Sequence, residues 1–211
     1  MAWTAPATWL AGSTLTAAQL NEQVRDNSLA GGPIYATEAL RDAAITSPFE
    51  GQRAYITAST ETTAAGVVTA IPTGITTIYN GSGWVTVTPV GARSDSNTSA
   101  SMTASFVNVT INGSLITATL RTGTTALVSV AGAINGSASR DYAVIAVKTA
   151  TVAAETYYGA FQQMQAYITV GRTFVMTGLT AGLNTFTVQA KSNTPSATTV
   201  AEASLTVQGI A

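Results

Sequence analysis

Thr185-Phe186-Thr187-Val188-Gln189-Ala190 alternates polar and apolar residues at every step. A period of two puts Phe186, Val188 and Ala190 on one side of an extended chain and Thr185, Thr187 and Gln189 on the other, so the stretch reads as a strand with one buried face. Runs of the same kind fill the surrounding sequence: Phe106–Ile111, Leu115–Leu120, Ala126–Ala133, Tyr142–Val147, Gln165–Val170, Arg172–Met176 and Ala203–Val207. Turn residues fall between them, at Asn112-Gly113, Arg121-Thr122-Gly123, Asn135-Gly136 and Ala181-Gly182. About eight short strands separated in this way predict an antiparallel β-sandwich or jelly roll over residues 93–211.

Upstream, residues 90–100 are small and polar and read as a linker. Residues 48–92 read as a small β-hairpin module. Its strand-like runs are Ala54-Tyr55-Ile56, Val67-Val68, Thr76–Tyr79 and Trp84–Val87, and Asn80-Gly81-Ser82-Gly83 is a strong hairpin turn. Residues 1–47 read as an N-terminal arm and helices. The arm carries Trp3, Pro6, Trp9 and Leu10, with Leu15 at its end. Thr16 and Gln19 form a capping box for a helix over 16–29 with Leu20 and Val24 on one face, and Gly31-Gly32-Pro33 stops it. A second short helix is expected from a Thr37 cap through Ile45, ended by Ser47-Pro48. The fold class is therefore mainly β, with a short N-terminal helical attachment segment. Exposed indoles on an arm suit anchoring in another protein's groove; the alternative is packing onto this protein's own core.

Charge is scarce. The 211 residues include 9 Lys and Arg and 10 Asp and Glu, for a net charge of −1. Charged residues make up 9% of the total, against about 25% in an ordinary soluble domain. Hydrophobic residues make up 46%, and mean hydropathy is +0.27. Thr, Ser, Ala and Gly must cover much of the surface, and such a face suits contact with another subunit.

The same composition removes several functions. No basic excess is available to neutralise phosphates, which argues against nucleic acid as a partner. The absence of Cys and His removes thiolate and imidazole metal sites, cysteine nucleophiles and the commonest general base. No apolar run is long enough for membrane insertion as a helix. The acids Asp95, Asp141, Glu155 and Glu202 of the last domain are spread along the sequence without a cluster, which gives little material for a carboxylate-based active site. No catalytic, metal or cofactor site is expected. Five Asn-x-Ser/Thr triplets, at Asn80, Asn97, Asn108, Asn112 and Asn135, are read as turn chemistry.

Trp9-Leu10-Ala11-Gly12-Ser13-Thr14-Leu15-Thr16-Ala17-Ala18-Gln19-Leu20-Asn21, followed by Val24-Arg25-Asp26-Asn27, resembles the opening of tail-fibre and minor tail proteins of tailed bacteriophages. Pro48-Phe49-Glu50-Gly51-Gln52-Arg53-Ala54-Tyr55 and Ile78-Tyr79-Asn80-Gly81-Ser82-Gly83-Trp84-Val85 are similar to a hairpin module of fibre proteins. Thr177–Gln189 with the final strand Ala203–Val207 is similar to phage domains of tumour-necrosis-factor-like jelly-roll type, which usually trimerise.

The resemblance implies a non-enzymatic structural protein of the virion, assembled in the host cytoplasm. It implies a homotrimeric fibre, spike or minor tail component, with other tail or capsid proteins as partners. Trp3, Trp9, Leu10, Leu15, Leu20 and Val24 are the candidate assembly and attachment residues. A capsid decoration protein is the alternative. An adhesin module that stacks a host-surface glycan on Trp84, Tyr157, Tyr158 or Tyr167 is a further one.

Overall fold

The computed structural model describes residue 16 and residues 32–66, 68–136, 142–154, 158–162, 168–192 and 198–211. It is mainly β. The described fold begins with β1 (Ile34–Tyr35) and the helix α1 (Glu38–Ala44), then forms β2 (Arg53–Ile56), β5 (Ile75–Tyr79) and β6 (Trp84–Thr86). These strands make a four-stranded sheet in the order β1-β2-β5-β6.

The local signals explain these elements. The Thr37 hydroxyl accepts from the Leu40 amide and starts α1. The Asn80 carboxamide oxygen accepts from the Ser82 and Gly83 amides and closes the β5–β6 turn. The expected 16–29 helix lies outside the described residues apart from Thr16.

The remaining strands form a sandwich. One sheet has five strands, ordered β15 (Ile168–Thr177), β12 (Thr125–Gly136), β17 (Thr198–Gly209), β7 (Val90–Ser101) and β4 (Val68–Ala70). The other is ordered β14 (Tyr158–Gln162), β13 (Tyr142–Lys148), β16 (Gly182–Ser192), β11 (Thr117–Thr122) and β3 (Thr63–Ala65). The short β8 (Val107–Asn108) also pairs with β16. A separate hairpin joins β9 (Thr110–Ile111) to β10 (Ser114–Leu115).

The pairings nest. β7 lies against β17, β11 against β16, β12 against β15 and β13 against β14, all antiparallel. Pairing from the outermost strands inward is what results when one long hairpin is wrapped into two sheets, and it gives the jelly-roll topology. Between the sheets lie Val128, Val130, Ile145, Val147, Phe186 and Leu205, each at most 2% exposed.

Several boundaries differ from those read in the sequence. Residues 90–100, expected as a linker, belong to β7. Val90 and Ala92 face the core while β17 supplies the hydrogen-bond ladder, so partnering overrides the weak strand propensity of small polar residues. β3 and β4, drawn from within residues 48–92, pair with sandwich strands β11 and β7. Gly171, expected to separate two strands, lies inside β15 opposite Ala131. A Cβ there would stand 3.0 Å from Ala131 Cβ and 3.2 Å from Val130 O, so glycine permits the close pairing. Asn135-Gly136, expected as a turn, ends β12 in register with Thr199 and Thr198.

The small sheet sits directly on the end of the sandwich. A Cβ on Gly209 would lie 2.5 Å from Val85 Cγ1 and 2.7 Å from Thr86 O. Only a residue without a side chain lets β6 approach β17 this closely.

Candidate functional site

Trp3, Trp9, Leu10, Leu15, Leu20 and Val24 lie outside the described residues. So do Asp141, Glu155, Tyr157 and Tyr167, and the Tyr158 side chain. Among the described residues, the outer face of the five-stranded sheet is built mostly of small side chains.

Register fixes its membership, because directly opposed residues share a face. One row across the strands is Val68, Arg93, Ser204, Ala131 and Gly171. The next is Ala70, Gly91, Thr206, Ser129 and Thr173, in which the Ser129 and Thr173 hydroxyls share a 2.7 Å hydrogen bond. Beyond it lie Gln208, Leu127 and Val175, with Leu127 37% and Val175 48% exposed. Among the described side chains of this face, only Arg93 and Glu202 carry charge. Small side chains there line shallow hollows along Ser204 and Ala131.

The outer face of the other sheet is different. Arg121, Lys148 and Lys191 sit on it in register with Leu183, Thr187 and Val144. Arg121 forms a two-pronged pair with Glu61, Nη2 to Oε1 at 2.7 Å and Nε to Oε2. This hydrogen-bonded carboxylate, acting against partial burial, raises the guanidinium pKa further. The Lys191 ammonium lies 4.4 Å from the centre of the Phe106 ring. A threonine row, Thr63-Thr119-Thr185, completes the face, with Thr119 and Thr185 hydroxyls 2.9 Å apart. Among the described side chains, one face thus carries Arg121, Lys148 and Lys191, and the other carries Arg93 and Glu202 among mostly small residues.

A polar cluster ties α1 to the small sheet and to the loop between β2 and β3. Glu38, 3% exposed, accepts from the Ser59 hydroxyl and from the Thr60 amide (3.1 Å) and hydroxyl (3.2 Å). Burial pushes its carboxyl pKa up, but these hydrogen bonds to the ionised form outweigh it and the net shift is downward. Arg41 is fully buried, with its guanidinium carbon 4.5 Å from the centre of the Trp84 ring. It donates to Thr77 Oγ1 at 3.3 Å and through Nε to Asp42 Oδ1 at 2.9 Å. Its Nη2 is also 2.8 Å from Asp42 Oδ1, in ion-pair range without hydrogen-bond alignment. Burial raises the pKa of the neighbouring Tyr35 phenol, and the Arg41 charge offsets part of the rise.

Trp84, a candidate sugar-stacking residue, is 8% exposed and held between Arg41 and the edge of Tyr79, so its ring is occupied by packing. Asp95 and Glu202, distant in sequence, are register partners on β7 and β17. Spacing alone could not bring them together, because the pairing of the sandwich's first and last strands does so. Among the described residues, no group of three or more acids could hold a metal ion, and no helix is long and apolar enough to cross a membrane.

No protein-family model matches the sequence. No curated protein matches it. Among solved structures, an isomalto-dextranase of Arthrobacter globiformis T6 complexed with panose aligns over 75% of this protein and 33% of that one, at 11% identity and a TM-score of 0.28. An exo-β-1,3-galactanase from Phanerochaete chrysosporium aligns over 62% and 32%, at 15% identity and a TM-score of 0.26. The alignments span about a third of the length of these enzymes. Likeness at this level carries no argument about function.

Proposed function

We propose that the protein is a non-enzymatic structural component of a tailed-bacteriophage particle, a homotrimeric fibre, spike or minor tail component. The observation that carries the reading is the outer face of the five-stranded sheet, where Gly, Ala, Ser and Thr predominate and, among the described side chains, Arg93 and Glu202 alone carry charge. The outer face of the five-stranded sheet spans about 20 by 30 Å at ordinary strand spacings. That area is comparable to the roughly 800 Å² that each partner buries in a stable interface. Small side chains let a second sheet approach without large rotamer losses, and few charges need desolvation. A closed ring of three copies hides the face in every subunit. The N-terminal resemblance to tail proteins supports the virion setting, with residues 1–47 as the attachment segment.

Purified particles of the phage that encodes the protein test the setting. An antibody against the sandwich should label the tail in a few copies. Dense labelling of the head would replace the tail role with shell decoration, and particles free of the protein would overturn the reading.

A further inference from the structure

Each sheet of the sandwich ends in two edge strands. Three of these edges are short: β3 and β4 have three residues each, and β14 has five. β15 has ten residues, and among the described residues it pairs on one side only, with β12. A long edge offers backbone amides and carbonyls to another strand of similar length. Thr, Val, Ile and Phe dominate β15, proline is absent, and Arg172 is its single charge. Without that charge the strand has the composition that favours strand-to-strand association.

Register shows which way Arg172 faces. It lies opposite Val130 on β12, while Phe174 lies opposite Val128 and Met176 opposite Ala126. Val130, Val128 and Ala126 are buried, so Ile168, Val170, Arg172, Phe174 and Met176 form the inward row of β15. Val170, Phe174 and Met176 are buried, yet Arg172 between them is exposed. Its guanidinium carbon lies 5.8 Å from the centre of the Phe174 ring, so the charge stands at the rim of the core, beside that ring.

We propose that β15 is a pairing edge for a second copy of this chain, and that Arg172 holds it shut. Two β15 strands joined antiparallel would continue the sheet from one copy into the next. The longest registers that keep inward residues opposite inward residues are centred on Arg172 or on Thr173. The first sets Arg172 directly opposite its counterpart. The second sets the two on a diagonal, about 7–8 Å apart. Either register brings like charges together while strand pairing strips water from them. A different strand with an acid at the opposed position would be attracted instead, so the device acts against copies of this chain. The inference rests on strand order and register, independent of the trimer reading.

Sedimentation velocity and amide hydrogen exchange on the full-length protein test it, with the parent protein's own mass as the reference. Arg172→Val should at least double that mass. It should also slow exchange across residues 168–177 roughly tenfold or more, through the added backbone hydrogen bonds. Arg172→Thr, which is less apolar, should do the same, so precipitation of the first variant leaves the test intact. Arg172→Lys and Arg172→Glu should each keep the parent mass, because like charges still meet. Mixing Arg172→Glu with the parent should give the joined species, because the opposed charges then differ in sign. Lys148→Val, on β13 of the other sheet, should change nothing. If Arg172→Val and Arg172→Thr both keep the parent mass and the parent exchange of β15, the proposal is overturned. Joining by Arg172→Lys to the same extent as Arg172→Val would overturn it too.

Discussion

Glu61 and Arg121, 60 residues apart in sequence, meet in a two-pronged ion pair that ties the loop between β2 and β3 to β11 of the sandwich. The two side chains are 26% and 34% exposed. Solvent screening therefore limits the contribution, though the forked geometry places it at the upper end for surface pairs. Arg121→Ala should lower unfolding stability by about 1 kcal/mol. Arg121→Lys should recover little of it, because an ammonium cannot make the parallel pair of bonds. Urea titration of the three proteins measures this.

Glu38 makes stability depend on pH. Its folded pKa is lowered from the glutamate value of 4.5. Its stabilisation is therefore full above the unfolded carboxylate range and is lost as pH falls through the folded value. Glu38→Ala should cost about 1 kcal/mol at neutral pH, through loss of its hydrogen bonds from Ser59 and Thr60. It should also flatten the acid limb of the stability curve. Urea midpoints at neutral and acidic pH, compared between the two proteins, check both effects. An acid limb of unchanged slope in the variant would show that Glu38 is not the titrating group.

Arg41 packs its guanidinium on Trp84 with no exposed surface. Arg41→Ala should destabilise by about 2–5 kcal/mol, chiefly through the cavity it leaves. Arg41→Met fills much of that space without a buried charge and should come close to the parent protein. Thermal melts of the pair separate packing from charge.

The sequence carried local features best. The β5–β6 turn was readable because the Asn80 carboxamide satisfies its own loop, and α1 because Thr37 caps it. The buried sandwich strands were readable from alternation around Phe186 and Val188. Features decided by distant partners were not readable. β7 looks like a linker until β17 lies beside it, and Gly171 looks like a break until Ala131 occupies the space a side chain would need. Arg41 has the charge of a surface residue, and only the Trp84 ring makes its burial intelligible. The candidate assembly face was visible only as a general shortage of charge. Its location required the register of five strands.

That location makes a specific prediction. Ala131→Glu or Ser204→Glu adds a bulky carboxylate among the small residues of this face and should dissociate the oligomer while leaving each sandwich folded. Thr119→Glu, on the opposite sheet, should leave assembly intact. Sedimentation velocity with circular dichroism distinguishes the outcomes. If all three variants assemble alike, this face is not the contact.

The most direct measurement is the mass of the full-length protein in solution. Sedimentation equilibrium at micromolar concentration should give one species at three times the 21.5 kDa of a single copy. A stable species at the single-copy mass, unchanged on further concentration, would contradict self-association through this face.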